Sequence, residues 1–158
     1  MTAKEYLKQI EKWQAQINNI REKTAGRLEK LQQELEALYT QAQGMRAITY
    51  DRDRVQVSPG NTLEDLMVLI NDASAEYAKA ITTERLTANR KIATLQGKID
   101  KATDLIDSLD DIRYATILRL RYVDCKRWEA IACDMTYTYR HVLRVHGEAL
   151  QAFSKTWH

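Results

Sequence analysis

The sequence predicts an all-α protein, in which a long antiparallel helical hairpin, a coiled coil, is followed by a C-terminal helix-turn-helix head. The first observation is composition, because 158 residues with one proline and five glycines are rich in side chains that favour helices. The second is a narrow stripe of apolar residues at intervals of three and four, which runs through most of residues 1–109. The third is a change at residue 110, after which short apolar groups alternate with breaks.

The first long helix is predicted to begin at a capping box, because Thr2 is followed three residues later by Glu5. Its apolar stripe slips in register near Thr24 and fades at about residue 46, with charged and amide side chains between its members. The members of the stripe are Tyr6, Ile10, Trp13, Ile17, Ile20, Leu28, Leu31, Leu35, Leu38, Ala42 and Met45.

Residues 47–61 are predicted to form a loop, because they lack a helical period and include the turn sequence around Pro59. Thr62 is then predicted to cap a second long helix, with Glu64 and Asp65 in its first turn. Its stripe contains Leu63, Leu66, Ile70, Ala73, Tyr77, Ile81, Ala88, Ile92, Leu95, Ile99, Ala102, Ile106 and Leu109. Since the two helices have similar lengths, the simplest packing is an antiparallel pair over residues 1–109.

Two helices with such narrow stripes bury little apolar area, so the sequence predicts that the pair self-associates into a homo-oligomer. A monomeric hairpin stabilised by the C-terminal head is the alternative. The stripe mixes Leu, Ile, Ala and Tyr, and this mixture does not specify how many chains would associate.

Residues 110–158 predict a head of three short helices. Ile112, Leu118 and Tyr122 mark the first helix, Trp128 begins the second, and Thr138 caps the third. Small and apolar side chains fit a helix-turn-helix packing of the second and third helices. They are Ile131, Ala132, Met135, Val142 and Val145.

The head is basic, because residues 111–158 hold 8 Lys and Arg against 5 Asp and Glu, whereas residues 1–110 hold 16 against 17. A near-neutral long element with a basic end is typical of a nucleic-acid-binding protein. The beginning of the third helix carries side chains that could reach base edges or phosphates of double-stranded DNA. The predicted DNA-binding residues are Arg127, Thr138, Tyr139, Arg140, His141 and Arg144.

The head resembles region 4 of bacterial sigma factors, and more closely the small sigma-region-4-like regulators of phages and prophages of Gram-positive bacteria, which include the ArpU and RinA types. The resemblance covers about 40 residues and lies in Leu120, Arg121, Tyr122, Trp128, Glu129, Ile131, Ala132, Met135, Tyr137, Thr138, Arg140, His141, Val142, Arg144, His146, Ala149 and Leu150. It implies a sequence-specific transcriptional regulator of phage late genes and makes RNA polymerase a candidate partner. The chain departs from the family at Cys125 and Thr136, where glycine is usual, and at Arg127, where Ser or Thr usually caps the helix.

Other classes of protein fit the sequence less well. Cys125, Cys133, His141 and His146 do not have the spacing of a zinc module, and Cys133 is expected to face the interior of the head while His146 supports the helix or a phosphate. No nucleophile lies beside a base and no glycine-rich loop is present, so we expect neither an enzyme nor a cofactor. A packaging protein like a phage small terminase subunit, or a coiled-coil scaffold that binds no DNA, remains an alternative. No segment is apolar enough for a membrane span, and a cytoplasmic location in a bacterial host is expected.

Overall fold

A computed structural model describes residues 2–50 and 63–157, which contain helices and turns and no strand. The predicted all-α class is therefore confirmed for this part of the chain. Helix α1 is Ala3–Tyr50, α2 is Leu63–Asp107, and α3 is Ile112–Leu118, which continues as a π-helical turn over Arg119–Val123. Helix α4 is Trp128–Asp134 and α5 is Tyr139–Thr156.

The predicted capping box at the beginning of α1 is present. The Thr2 amide donates to Glu5 Oε2 at 2.7 Å, and the Glu5 amide donates to Thr2 Oγ1 at 3.3 Å. These hydrogen bonds hold the pKa of the Glu5 carboxyl below its usual value. At its other end α1 continues to Tyr50, beyond the residue 46 at which the apolar stripe fades. The predicted turn at Pro59 and the Thr62 cap lie outside the described residues.

The two long helices pack against each other, and the chain divides into two compact units, Ile20–Arg90 and a second unit of Met1–Asn19 with Lys91–His158. In the first unit Arg27 pairs with Glu84 at 2.8 Å, and the Tyr77 hydroxyl donates to Glu34 Oε2 at 3.5 Å. Between these two contacts the chain advances seven residues along α1, from Arg27 to Glu34, and goes back seven residues along α2, from Glu84 to Tyr77. The two helices are therefore antiparallel in this unit.

The apolar stripe of α1 is continuous in the first unit, so the predicted slip near Thr24 is wrong. Thr24 is half-buried and fills the position between Ile20 and Leu28 at intervals of four residues. The threonine interrupts the apolar character of the stripe but not its period. Ala88 is the only side chain of this unit with an exposed fraction below 9% among the described residues, so the pair has a thin core there.

The second unit contains the main hydrophobic core, which joins the beginning of α1 and the end of α2 to the helices of the head. Leu7 and Ile10 are fully buried in it, together with Phe153 of α5. The Tyr6 ring stacks on the Trp157 ring at 5.0 Å between centroids, and Gln14 Nε2 donates to the Val123 carbonyl at 2.9 Å. The domain boundary that the sequence predicts, at residue 110, falls inside this unit.

Within the head, α5 packs against both α3 and α4. Asp111 caps α3 by accepting a hydrogen bond from the Arg113 amide at 2.9 Å. Ile112, which the sequence assigns to the apolar face, is instead 79% exposed. Ile117 and Leu118 are the buried side chains of α3, and Tyr114 and Ala115 pack against the core as partly buried neighbours, so Ile112 in the first turn lies outside the face that the core covers.

None of the described helices combines the length and the apolar character that a membrane span requires.

Candidate nucleic-acid interface

Helices α4 and α5 are joined by a tight four-residue connection, residues 135–138. The Tyr137 amide donates to the Ala132 carbonyl at 2.9 Å, and the Thr136 amide donates to the Cys133 carbonyl at 3.1 Å. Ala132 is buried, which allows a close approach of α5, and Ile131 beside it is fully buried. The predicted spacing of helix, short turn and helix is therefore observed at residues 128–156.

Two residues in the head adopt left-handed backbone conformations that favour glycine. Cys125 and Thr136 both have φ of 53°, and they are the only non-glycine residues with positive φ among the residues described. These are the two positions at which the resemblance to sigma region 4 leads us to expect glycine. Because glycine adopts this region without strain and other residues do not, the Cys125 and Thr136 side chains carry a conformational cost.

Thr138 begins α5 as predicted. Its backbone is extended, with φ of −73° and ψ of 149°, and its Oγ1 accepts a hydrogen bond from the His141 amide at 3.3 Å. This bond satisfies one of the amide groups that a helix leaves unpaired at its first turn. Arg127 is the N-cap of α4, but its side chain makes no capping hydrogen bond. This side chain is exposed and can therefore bind another molecule.

Helix α5 has a well-defined buried face, formed by Val142, Val145, His146, Ala149 and Phe153. At 3.6 residues per turn, the opposite side of the helix carries a second row of residues. We call this row the outward face of α5, and it consists of Arg140, Arg144, Gly147, Gln151 and Lys155, all exposed. The two arginines lie four residues apart in the first two turns, as the sequence predicts.

Two other predicted contact residues, Tyr139 and His141, lie in the first turn of α5 beside Arg140. Tyr139 is 47% exposed. The half-buried His141 ring meets the Tyr137 ring edge-on at 4.6 Å between centroids, and its Nδ1 lies 3.1 Å from Arg144 Nη2. Because a neutral imidazole nitrogen can accept from a guanidinium, His141 restrains the Arg144 side chain at the protein surface.

Leu143 was missed by the sequence analysis. Its side chain is 41% exposed and precedes Arg144 in the chain, although other apolar side chains of α5 are buried. The signal that could have identified it is its place in the helical period, because it falls outside the row of Val142, Val145 and Ala149.

Six cations of the head differ in whether they have a carboxylate partner. Arg113 pairs with Asp111 at 2.7 Å, Lys126 pairs with Asp134 at 2.8 Å, and Arg119 pairs with Asp107. In contrast, no carboxylate among the described residues lies within ion-pair distance of three other arginines. They are Arg127, Arg140 and Arg144. These three can therefore attract an anionic partner without first breaking an internal ion pair.

Arg121 has an internal role. Its Nη1 donates to the Lys126 carbonyl at 2.8 Å, and its guanidinium lies 4.9 Å from the centroid of the Trp128 ring. Trp128 is half-buried and packs against the core.

His146 lies in the core, 8% exposed, with Nε2 3.2 Å from the Tyr122 hydroxyl and the Trp128 ring edge-on at 4.7 Å between centroids. Burial lowers the pKa of this imidazole to about 4, and the positive charges of Lys4 and Arg121 act in the same direction. Of the two roles expected for His146, the packing supports that of stabilising the helix.

The remaining zinc candidates do not converge on His146. Cys133 is exposed, so the expectation that it faces the interior is wrong: the seven-residue α4 turns Ile131 and Ala132 inward. Cys125 is also exposed, with Sγ 3.4 Å from Gln14 Oε1, and partial burial raises the pKa of its thiol. The described residues contain no group of three or more His, Cys, Asp or Glu side chains that could hold a metal ion.

Comparison with known proteins gives no match: no family model, no curated protein and no solved structure is similar to this chain.

Proposed function

We propose that the chain is a sequence-specific DNA-binding protein that regulates transcription, with α4 and α5 as a helix-turn-helix. The observation that carries the proposal is the outward face of α5. Arg140 and Arg144 are exposed there in the first two turns, with no carboxylate partner among the described residues, on a helix that a capped tight turn fixes against α4. In helix-turn-helix proteins this part of the second helix enters the major groove.

The side chains on and beside this face fit the chemistry of the major groove. An arginine guanidinium can donate two hydrogen bonds to O6 and N7 of guanine, so Arg140 and Arg144 are proposed as base readers. The exposed Leu143 offers an apolar surface of the kind that contacts the methyl group of thymine. Thr138 and Tyr139, at the beginning of α5, are placed to contact the sugar-phosphate backbone.

Arg127 is proposed to bind phosphate rather than bases. It lies at the start of α4, the helix that crosses the DNA backbone in this motif. His141 contributes indirectly, because its contact with Arg144 Nη2 orients that guanidinium.

Self-association through the two long helices is part of the proposal. Leu28, Leu31 and Leu35 remain half-buried in the antiparallel pair. On α2, three consecutive apolar side chains are 48–66% exposed: Met67, Val68 and Leu69. A second chain covering these surfaces would bury apolar area that one pair leaves in water, and would present two heads to one DNA site.

The resemblance to sigma region 4 extends the proposal to the biological role. It points to regulators of phage or prophage late genes and to RNA polymerase as a partner. Genomic fragments bound by the purified protein would test this role, because a regulator should select promoter-proximal fragments. Selection of fragments at a packaging site would favour the terminase-like alternative.

The DNA-binding proposal is tested by comparing Arg140→Ala with Arg127→Ala on a selected duplex and on a scrambled duplex. Arg140→Ala removes a base contact, so it should weaken the binding free energy by about 1–3 kcal/mol on the selected duplex and by less on the scrambled duplex. Losing a phosphate contact should weaken the binding of Arg127→Ala to both duplexes similarly, and should reduce the slope of log affinity against log salt concentration by about 0.9.

Arg113→Ala is the matched control for charge, because the same residue type is already paired with Asp111 in the head. It should change the affinity for either duplex less than Arg127→Ala does. Circular dichroism must first show that each variant is folded. Affinity of the wild-type protein that is independent of salt, or equal losses for Arg140→Ala on both duplexes, would contradict the proposed roles.

A further inference from the structure

Gly147 interrupts the outward face of α5 at its centre. It lies three residues after Arg144 and four before Gln151, within a helix of 18 residues. A Cβ built on Gly147 would meet no atom within 4 Å. The fold of the chain therefore leaves room for a side chain at this position.

Glycine is a poor choice for such a position if only folding matters. It has a low helix propensity because its backbone loses the most conformational freedom on folding, and alanine would fit the same helix better. Neither a turn nor a close helix-helix contact requires glycine at residue 147, since the position is in mid-helix and open. What glycine does provide there is a stretch of helix surface that another molecule can approach closely.

The neighbours of Gly147 indicate what that molecule is. The outward face holds three cations and one amide, which are hydrogen-bond donors, and no carboxylate. The nearest acid in the helix, Glu148, lies beside this face, four residues after Arg144, and its carboxylate accepts a hydrogen bond from the Tyr114 hydroxyl at 3.1 Å. Such a surface fits the acceptor-rich floor of a DNA major groove better than the surface of another helix.

The lengths of the side chains explain why the approach must be close. Arg144 and Gln151 are about 10 Å apart along the helix, which corresponds to roughly three base steps. Arginine can bridge a gap between helix and base, but the shorter glutamine reaches a base edge only if the helix lies close to the groove floor. A helix held close at Gln151 brings residue 147 against the DNA.

We propose that Gly147 is a contact position at which the α5 backbone packs against duplex DNA, and that the base-reading surface thereby extends from Arg140 to Gln151. This inference rests on the proposed function, because it specifies how the same helix would occupy the groove. It adds a residue whose importance lies in having no side chain.

The test uses Gly147→Ala and Gly147→Leu in the full chain, with the duplexes that the wild-type protein recovers from a random library. Gly147→Ala should raise the melting temperature, because alanine favours the helix. It should nevertheless weaken binding to the selected duplex by at least about fivefold, the loss typical of one base contact. Gly147→Leu should weaken binding further, because the obstruction grows with side-chain volume.

Gly26→Ala is the matched control, because Gly26 is also exposed in mid-helix with no atom within 4 Å of a built Cβ. It should raise the melting temperature and leave the affinity for the selected duplex within about twofold, since its helix does not enter the groove in this scheme.

The outcomes separate this inference from the proposed function. Gly147→Ala and Gly147→Leu variants that bind the selected duplex like wild type, while Arg140→Ala loses affinity, would overturn the close approach and leave the DNA-binding function intact. A wild-type protein that enriches no duplex from the library would overturn the proposed function, and this inference with it.

Discussion

Lowering the pH from 7 to 5 should destabilise the second unit through His146. The folded chain holds this imidazole in the core, beside Tyr122 and Trp128, with a pKa of about 4, whereas a histidine in the unfolded chain has a pKa of about 6.5. Between these two values the unfolded chain binds more protons than the folded chain. The free energy of unfolding must therefore fall as the pH falls through this window.

The size of the effect follows from the two pKa values. Proton linkage with values of about 6.5 and 4 predicts a loss of about 2 kcal/mol between pH 7 and pH 5 from this one residue. The nearby positive charges of Lys4 and Arg121 also oppose protonation, so they add to the effect of burial.

Urea unfolding followed by circular dichroism at pH 7, 6 and 5 measures this loss, and His146→Gln measures the background. The glutamine amide can still bond to the Tyr122 hydroxyl but cannot take up a proton, so the difference in stability between pH 7 and 5 should shrink by about 2 kcal/mol. His141→Gln, at the surface of the same helix, is the matched control and should retain most of the pH dependence. A pH dependence that is the same in wild type and in His146→Gln would refute the reasoning.

Four further predictions concern stability and assembly. Thr138→Ala should cost about 1 kcal/mol in urea unfolding by removing the cap of α5, and Thr138→Ser should restore it. Thr136→Gly should stabilise the chain by about 1 kcal/mol, because the φ of 53° favours glycine; a loss of stability would show that the side chain matters more than the backbone. Leu7→Ala should cost about 2–5 kcal/mol, as expected for a fully buried leucine, and a change below 1 kcal/mol would contradict its place in the core. Val68→Asp combined with Leu69→Asp should reduce the mass measured by light scattering while helicity by circular dichroism persists; an unchanged mass would place self-association elsewhere.

Local features of this fold were predictable from the sequence because the interacting residues are neighbours in the chain. The Thr2–Glu5 capping box and the Thr138 cap each involve groups within three residues, so the sequence motif contains both partners. The two long helices were predictable because an apolar period repeated over more than 40 residues leaves little choice of structure. Thr24 was misjudged because a threonine can occupy a stripe position without being apolar.

Contacts between distant residues were not predictable in the same way. Leu7 lies beside the predicted stripe, and it is buried because the head covers an additional face of α1. In α3 and α4, seven residues are too few for a period to define the buried face, which explains the wrong assignments of Ile112 and Cys133. The π-helical turn at Arg119–Val123 also changes the rotation of the side chains that follow it.

The candidate site was predictable in its helical positions but not in its ion pairs. Arg140 and Arg144 lie four apart, so their common face follows from helix geometry alone. The pairing of Arg113 and Lys126 with carboxylates required the structure, because sequence spacing does not show which charges meet. Leu143 lies outside the predicted apolar row of α5, so its exposure could have been inferred from the helical period.

The shared core of the second unit has a consequence for synthesis of the chain on the ribosome. Tyr6, Leu7 and Ile10 are translated long before Phe153 and Trp157, which are among their partners in this core. Because the ribosome adds roughly 5–20 residues per second, about 7–30 s pass between the translation of these apolar side chains and that of their last partners. During that interval the apolar side chains of this amphipathic segment are exposed and can aggregate. The yield of folded protein should therefore depend on translation speed and on chaperones that shield nascent apolar segments.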